Sequence, residues 1–145
     1  MISVPTARAL RTSGVAWEPA SGDRFVIVDR DMDEQVFVLS DMVVETHDHA
    51  SGRVLGFNGT TEWALDSVDA EQALWLPREG QLRELLGTTF AGLAVEEVEP
   101  GDDGLGRFVV LTRSAEGERR SRSDDVEEAY ALAVLAVRAQ ASRST

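Results

Sequence analysis

The C-terminal segment of this chain constrains its fold more than any other part of the sequence. Asp124 is suited to cap a helix, and Glu127, three residues later, is its expected capping-box partner. The apolar residues that then recur on one helical face are Val126, Ala129, Tyr130, Ala133, Val134 and Val137. This spacing predicts an amphipathic helix over residues 124–140.

Further apolar residues make the same helix a candidate interface. Leu132, Leu135 and Ala136 lie largely off the first apolar face. A helix that is apolar over so much of its circumference is either deeply buried or covered by a partner chain. The sequence therefore predicts a homodimer or another protein contact through this helix, with Tyr130, Leu132 and Leu135 as interaction residues.

The rest of the chain combines short strand-like runs with two shorter helices. Pro5 and Pro77 suit the first turn of a helix, and Gly14 and Gly87 suit the position after its end. Runs rich in β-branched and aromatic residues predict strands. They lie at residues 24–28, 35–39, 42–47, 53–57, 72–76, 93–98 and 107–113. We expect one α+β domain over residues 1–145, with a mainly antiparallel sheet of six or seven strands packed against two or three helices.

Composition excludes several kinds of chemistry. All fourteen basic residues are arginine, and the chain has no lysine and no cysteine. It therefore contains no P-loop lysine, no Schiff-base lysine, no catalytic thiolate, no disulfide and no cysteine zinc site. The use of arginine in place of lysine, together with abundant alanine and valine, also indicates a bacterial protein encoded by a GC-rich genome.

The net charge of −12 sets expectations about partners and location. An acidic protein repels phosphate backbones and anionic membrane surfaces, so we expect neither nucleic acid nor a membrane as a partner. The first residues lack the basic and apolar regions of a signal peptide. The longest apolar run, residues 129–137, is too short to cross a bilayer. We therefore expect a soluble, cytoplasmic protein.

Two sequence elements are shared with a group of small bacterial proteins. Residues 75–82 give the pattern W-L-P-x-x-x-x-L before a short helix, and residues 128–135 give E-A-x-A-L-A-x-L in the final helix. Over residues 4–137 the chain resembles uncharacterised actinobacterial and phage-associated proteins. Some of these carry a pilus-assembly label, which would imply a P-loop ATPase, but this sequence has no G-x-x-x-x-G-K-[ST] motif. The resemblance implies no established activity and adds no catalytic residue.

Glu45, His47 and His49 form the sharpest candidate for a chemical site. Residues at alternate positions of a strand point to the same side, so a strand here would present one carboxylate and two imidazoles together. This is a known ligand set for zinc or non-haem iron. The sequence thus predicts, as an alternative function, a metal-dependent enzyme that uses these three residues. The competing interpretation is a strand end that runs into a polar turn.

The acidic and glycine-rich loops are better explained by folding. Residues 29–34 begin like an EF-hand loop, but its sixth and twelfth positions hold Glu34 and Ser40 instead of glycine and glutamate. A hairpin loop follows residue 98, in which glycines, Gly106 among them, are expected to supply turn conformations. This loop lies between two strands, not between a strand and a helix, so no dinucleotide site is indicated.

The only basic cluster consists of Arg113, Arg119, Arg120 and Arg122. No aromatic residue that could stack on bases lies within residues 112–125, so a nucleic-acid site is not indicated. The expected role is a solvated loop or an edge strand whose charge discourages aggregation. If the cluster has a function, an acidic protein partner is the expected one.

No catalytic signature accompanies these features. The serines lack the G-x-S-x-G pattern of a nucleophile elbow, and the abundant carboxylates do not single out an acid and base pair. We expect no cofactor. The sequence favours a non-enzymatic protein-interaction module that binds a protein partner or a second copy of itself.

Overall fold

The computed structural model describes residues 1–28, 35–39, 45–49, 52–56, 67–69, 72–97 and 106–143. Within residues 45–49, 52–56 and 67–69 it describes the backbone only. The chain divides into two compact units. The terminal unit contains Met1–Val15 and Pro77–Thr145, and the central unit contains Ala16–Leu76. This division does not test the prediction that residues 1–145 form one domain.

The described part of the central unit consists of two three-stranded antiparallel sheets. Its strands are β1 (Arg24–Ile27), β2 (Phe37–Val38), β3 (Glu45–His49), β4 (Gly52–Gly56), β5 (Ser67–Asp69) and β6 (Ala73–Trp75). In the first sheet β1 lies between β2 and β6, and in the second β4 lies between β3 and β5. Each sheet therefore has two outer strands.

An aromatic cluster anchors the first of these sheets. Trp17 and Trp75 stack with nearly parallel rings whose centroids are 6.4 Å apart, and the ring centroid of Phe25 lies 5.7 Å from that of Trp17. The indole N–H of Trp17 donates a hydrogen bond of 2.9 Å to the Oδ2 atom of Asp23, which is 2% exposed. The bond gives the buried carboxylate a partner, which offsets the cost of removing it from water.

The terminal unit combines three α-helices with a third antiparallel sheet. Its elements are α1 (Val4–Thr12), α2 (Glu79–Leu86), a short 3-10 helix (Gly87–Thr89), β7 (Phe90–Val95), β8 (Phe108–Ser114), β9 (Gly117–Ser123) and α3 (Val126–Arg143). In this sheet β8 lies between β7 and β9. Helix α3 packs against α1, α2, β8 and β9, so it forms the centre of the unit.

These helices and antiparallel sheets confirm the predicted α+β class. The described strands are distributed among three sheets of three strands each. That part of the chain does not confirm the prediction that six or seven strands share one sheet. Local patterns of residues indicate where a strand lies but not which strand it pairs with.

Local signals set the ends of the first two helices as predicted. Pro5 lies in the first turn of α1, and Gly14 follows its end with a φ of +97°. Helix α2 begins directly after Arg78, and Gly87, with a φ of +56°, follows its last residue. Glycine adopts these positive φ values at little cost, so both positions suit the end of a helix.

The N-cap of α3 lies one residue later than predicted, at Asp125 instead of Asp124. The Oδ1 atom of Asp125 accepts a 3.1 Å hydrogen bond from the backbone N–H of Glu128. Asp124 instead accepts a hydrogen bond of 3.4 Å from the backbone N–H of Arg107, which precedes β8. The local sequence allows either aspartate to cap the helix. Because the carboxylate of Asp124 accepts the hydrogen bond from Arg107, the capping position falls to Asp125.

The next two glutamates serve neighbouring helices instead of completing a capping box. Glu127 accepts a 2.7 Å hydrogen bond from the backbone N–H of Glu79, the first residue of α2. Glu128 accepts a 3.0 Å hydrogen bond from the backbone N–H of Ser3 and another from the hydroxyl of Thr6 in α1. Carboxylates stabilise the partial positive charge of helix N-termini. The acidic start of α3 therefore holds the N-termini of three helices together.

Candidate functional site

The three predicted interaction residues lie in different environments on α3. Tyr130 is buried, with 1% of its surface exposed, whereas Leu132 is 38% exposed. Leu135 is half-buried. Of the three, Leu132 is the one whose side chain lies on the surface of the described structure. The interface role of the set stays a prediction.

Tyr130 belongs to a stack of side chains inside the terminal unit. Its ring lies 5.8 Å from the ring of Phe90, and the guanidinium carbon of Arg83 lies 4.3 Å from the centroid of Phe90. Burial raises the pKa of the Tyr130 hydroxyl, and the nearby carboxylate of Glu79 raises this pKa further. The hydroxyl therefore stays neutral at physiological pH, as suits a residue that holds α2 and β7 against α3.

Neighbours within the terminal unit cover most of the circumference of α3. Helix α2 packs against α3 beside Tyr130, strands β8 and β9 also pack against α3, and Ala129 and Ala133 of α3 are buried. Helix α1 packs on a third side, where the guanidinium of Arg138 donates hydrogen bonds of 2.9 and 3.1 Å to the carbonyl oxygen of Ser13. Burial within the chain thus accounts for most of the apolar surface of α3.

One side of α3 stays open, and we call it the open side of α3. It consists of Leu132, Ala136 and Ala139, which follow one another at helical spacing. Leu132 and Ala139 are exposed, and Ala136 is half-buried. The open side is small and apolar, and it contains one of the predicted interaction residues.

The outer edge of β7 exposes a second apolar surface. Leu93 and Val95 are 39% and 58% exposed, and no strand among the described residues pairs with the outer side of β7. Apolar outer strands of this kind can pair with another chain, because their backbone N–H and C=O groups on that side have no ladder partner.

The basic cluster lies mainly on β9, at the opposite edge of the same sheet. This strand pairs with β8 along its whole length, from Gly117 opposite Ser114 to Ser123 opposite Phe108. No described strand pairs with its other side. The expected edge strand is thus confirmed, among the described strands, for Arg119, Arg120 and Arg122, whereas Arg113 lies on the central strand β8. We call the outer side of β9, with Arg119, Arg120 and Arg122, the arginine edge.

One carboxylate serves two guanidinium groups at the arginine edge. Glu96, which directly follows β7, forms an ion pair with Arg122 and another with Arg120, where Nη1 and Oε1 are 3.5 Å apart. The hydrogen bond from Arg122 lowers the pKa of Glu96, and the charges of both arginines act in the same direction. Arg119 forms no ion pair with any described carboxylate. The arginine edge therefore keeps an excess of positive charge.

The predicted metal ligands lie on an outer strand of the central unit. Glu45, His47 and His49 occupy alternate positions of β3, opposite Gly56, Val54 and Gly52 of β4. This register agrees with the strand on which the metal prediction depends. The side chains of the three residues lie outside the part of the structure that is described, so their role as ligands stays a prediction. Elsewhere in the described structure no three His, Asp or Glu side chains are grouped to hold a metal ion.

Two further sequence features lie outside the described residues. These are the EF-hand-like residues 29–34 and most of the glycine-rich loop, residues 98–105. Among the described helices, none combines the length and the apolar character that crossing a bilayer requires.

Comparison with known proteins identifies no relative of this chain. Neither protein-family models nor curated proteins nor solved structures give a match. The resemblance to small actinobacterial and phage-associated proteins therefore stays a prediction that depends on residues 75–82 and 128–135.

Sequence reasoning missed the residues that organise these surfaces. Glu127 is predicted as the capping-box partner of α3, and neither Glu128 nor Glu96 is singled out, although Glu96 pairs with two arginines of β9. The signal for Glu96 was weak, because it required the pairing of β7, β8 and β9 to be known in advance. Its position within the predicted hairpin arm, residues 93–98, was the only indication.

Proposed function

We propose that the protein is a non-enzymatic protein-interaction module that self-associates through the open side of α3. The observation that supports this is the exposure of Leu132 at 38% on a helix whose other sides are covered by α1, α2 and the sheet. Two copies that meet here would cover this apolar side chain and Ala139. A contact of this size favours a weak or transient dimer over an obligate one.

Replacing Leu132 with arginine tests the homodimer. A charge at the centre of the contact is expected to weaken self-association by about tenfold or more, because like charges would meet in a desolvated interface. Size-exclusion chromatography coupled to light scattering, over a wide range of protein concentrations, measures the molar mass of the associated and dissociated species. Leu132→Arg is preferable to Leu135→Arg, because Leu132 is exposed whereas Leu135 is half-buried.

The matched control is Val95→Arg, which adds the same charge to an exposed apolar residue on β7. This variant is expected to associate as the wild-type chain does. A wild-type chain that remains monomeric at every concentration would contradict self-association. Dissociation by Val95→Arg but not by Leu132→Arg would move the contact from α3 to the outer edge of β7.

A metal-dependent enzyme is the second candidate, and the register of β3 favours it over the remaining classes. Alternate positions on one strand give Glu45, His47 and His49 the spacing that a three-ligand site requires. Elemental analysis of protein purified without a histidine tag tests this function. A stoichiometric transition metal that is lost in the His47→Ala, His49→Ala double variant is the expected result. Metal-free wild-type protein, after growth and dialysis with added zinc and iron, would exclude the site.

A further inference from the structure

We propose that the arginine edge binds an acidic, extended peptide segment of a partner protein, which adds a fourth strand to the sheet next to β9. This inference rests on the proposed role of the chain as an interaction module, but not on self-association through α3. It concerns a different element and a different chemistry. An experiment that contradicts peptide binding at the arginine edge therefore leaves self-association through α3 untouched, and the reverse also holds.

The backbone of β9 supplies the first part of the argument. All seven residues of β9, Gly117–Ser123, pair with β8 in a regular antiparallel register. In such a ladder, alternate residues direct their N–H and C=O groups away from the partner strand. No described strand takes up these groups. Strand addition by an extended peptide satisfies them, and it uses main-chain hydrogen bonds that any peptide can form.

The side chains supply the second part, because they select the charge of the peptide. The arginine edge carries three positive charges, on Arg119, Arg120 and Arg122, against the one negative charge of Glu96, within a chain of net charge −12. Arg113 forms an ion pair with Glu118, in which Nη2 and Oε2 are 3.3 Å apart. Arg120 and Arg122 share the carboxylate of Glu96. The excess charge thus remains on β9 itself. Acidic side chains on an added strand would lie beside these guanidinium groups, which hydrogen-bond carboxylates in a bidentate manner.

Arg119 gives the surface a second charged face. It lies opposite Thr112 in the register, whereas Arg120 lies opposite Leu111, so the two arginines point to opposite faces of the sheet. An added strand also directs its side chains alternately to the two faces. Acidic residues on either face would therefore meet a guanidinium. This arrangement suits a peptide chain, whose side chains alternate.

A nucleic acid fits the same arginines less well. Residues 114–129 contain no aromatic side chain on which a base could stack. The free main-chain groups of β9 would also find no ladder partner in a nucleic acid. An acidic peptide can pair with the arginine side chains and also with the outer main-chain N–H and C=O groups of β9.

Fluorescence anisotropy of a labelled synthetic peptide, titrated with the full chain, tests the inference. The probe is an octapeptide in which glutamate alternates with valine, and its comparison peptide carries glutamine in place of glutamate. We expect the acidic peptide to bind at least about tenfold more tightly than the glutamine peptide. We also expect its affinity to fall severalfold when salt is raised to a level that screens exposed charges.

A variant of the protein and a modified peptide distinguish the contribution of charge to binding from that of main-chain hydrogen bonds. The Arg119→Gln, Arg120→Gln double variant is expected to weaken binding about tenfold, and Arg8→Gln, at an exposed position of α1, is its matched control. Methylation of alternate amide nitrogens of the acidic peptide keeps its charge but removes ladder hydrogen bonds. It too is expected to weaken binding at least about tenfold. Far-UV circular dichroism and the melting temperature verify that the double variant is folded.

The possible results have separate meanings. Equal binding of the acidic and glutamine peptides, or equal binding by wild type and the double variant, would overturn the inference. Undiminished binding of the methylated peptide would overturn strand addition. Tighter binding of a single-stranded oligonucleotide than of the acidic peptide would assign the arginine edge to nucleic acid instead. None of these results would bear on self-association through Leu132, which light scattering measures independently.

Discussion

Replacing Tyr130 with alanine is expected to lower the free energy of unfolding by about 3–5 kcal/mol, which is typical when a buried aromatic side chain is truncated. Tyr130 is 1% exposed, and its ring lies 5.8 Å from that of Phe90. Its removal would leave a cavity between α3, α2 and β7, because the rings and aliphatic side chains around it are fixed by their own elements. Urea unfolding followed by circular dichroism measures the loss.

Two control variants distinguish a core role from an interface role. Tyr130→Phe keeps the stacked ring and removes only the hydroxyl, so it is expected to cost about 1 kcal/mol. Leu132→Ala, two residues along the same helix, is expected to change the unfolding free energy of the monomer by less than about 0.5 kcal/mol. If Tyr130→Ala abolished self-association but left stability unchanged, the placement of Tyr130 in the core would be wrong.

Replacing Gly106 with alanine is expected to destabilise the terminal unit by about 3 kcal/mol, the upper part of the usual range for overpacking. A Cβ atom at Gly106 would lie 2.2 Å from the backbone nitrogen of Ser123 and 2.4 Å from its Cα atom. These are backbone atoms of β9, which cannot move aside without loss of the ladder with β8. The unfolding free energy from urea titration is the measurement.

Gly80→Ala is the matched control. Gly80 lies within α2, and a Cβ atom there would meet no atom within 4 Å. Alanine is therefore expected to raise the unfolding free energy by about 0.5–1 kcal/mol, the usual gain when glycine is replaced inside a helix. Equal effects of the two substitutions would show that the close approach of Gly106 to β9 does not exist.

Gly106 also shows where reasoning from composition is incomplete. The glycine-rich stretch between two strand candidates predicted turn conformations that only glycine adopts easily. Gly106 is not among the glycines with positive φ. Its lack of a side chain matters because another strand passes close by. A sequence shows that a glycine is present, but it does not show whether the backbone conformation or a neighbour requires it.

The candidate surfaces were predictable to different degrees. The arginine cluster was visible in the sequence, but its charge predicted a solvated loop or an edge strand without deciding between them, and β9 was not among the predicted strands. The position of Leu132 on the surface did not follow, because Leu132 and Leu135 look equivalent in the sequence. The packing of the neighbouring elements around α3 makes the difference. Leu135 is half-buried, whereas Leu132 is left exposed.

The sequence by itself determined the α+β class, the ends of α1 and α2, and the chemistry that the absence of lysine and cysteine excludes. These depend on local conformational preferences and on composition, which act within a few residues. Only the tertiary structure decided how the strands are distributed among sheets, which side of α3 stays open, and that Glu127 and Glu128 cap neighbouring helices. Those outcomes depend on contacts between residues far apart in the chain, and no local pattern encodes which distant partner a residue will meet.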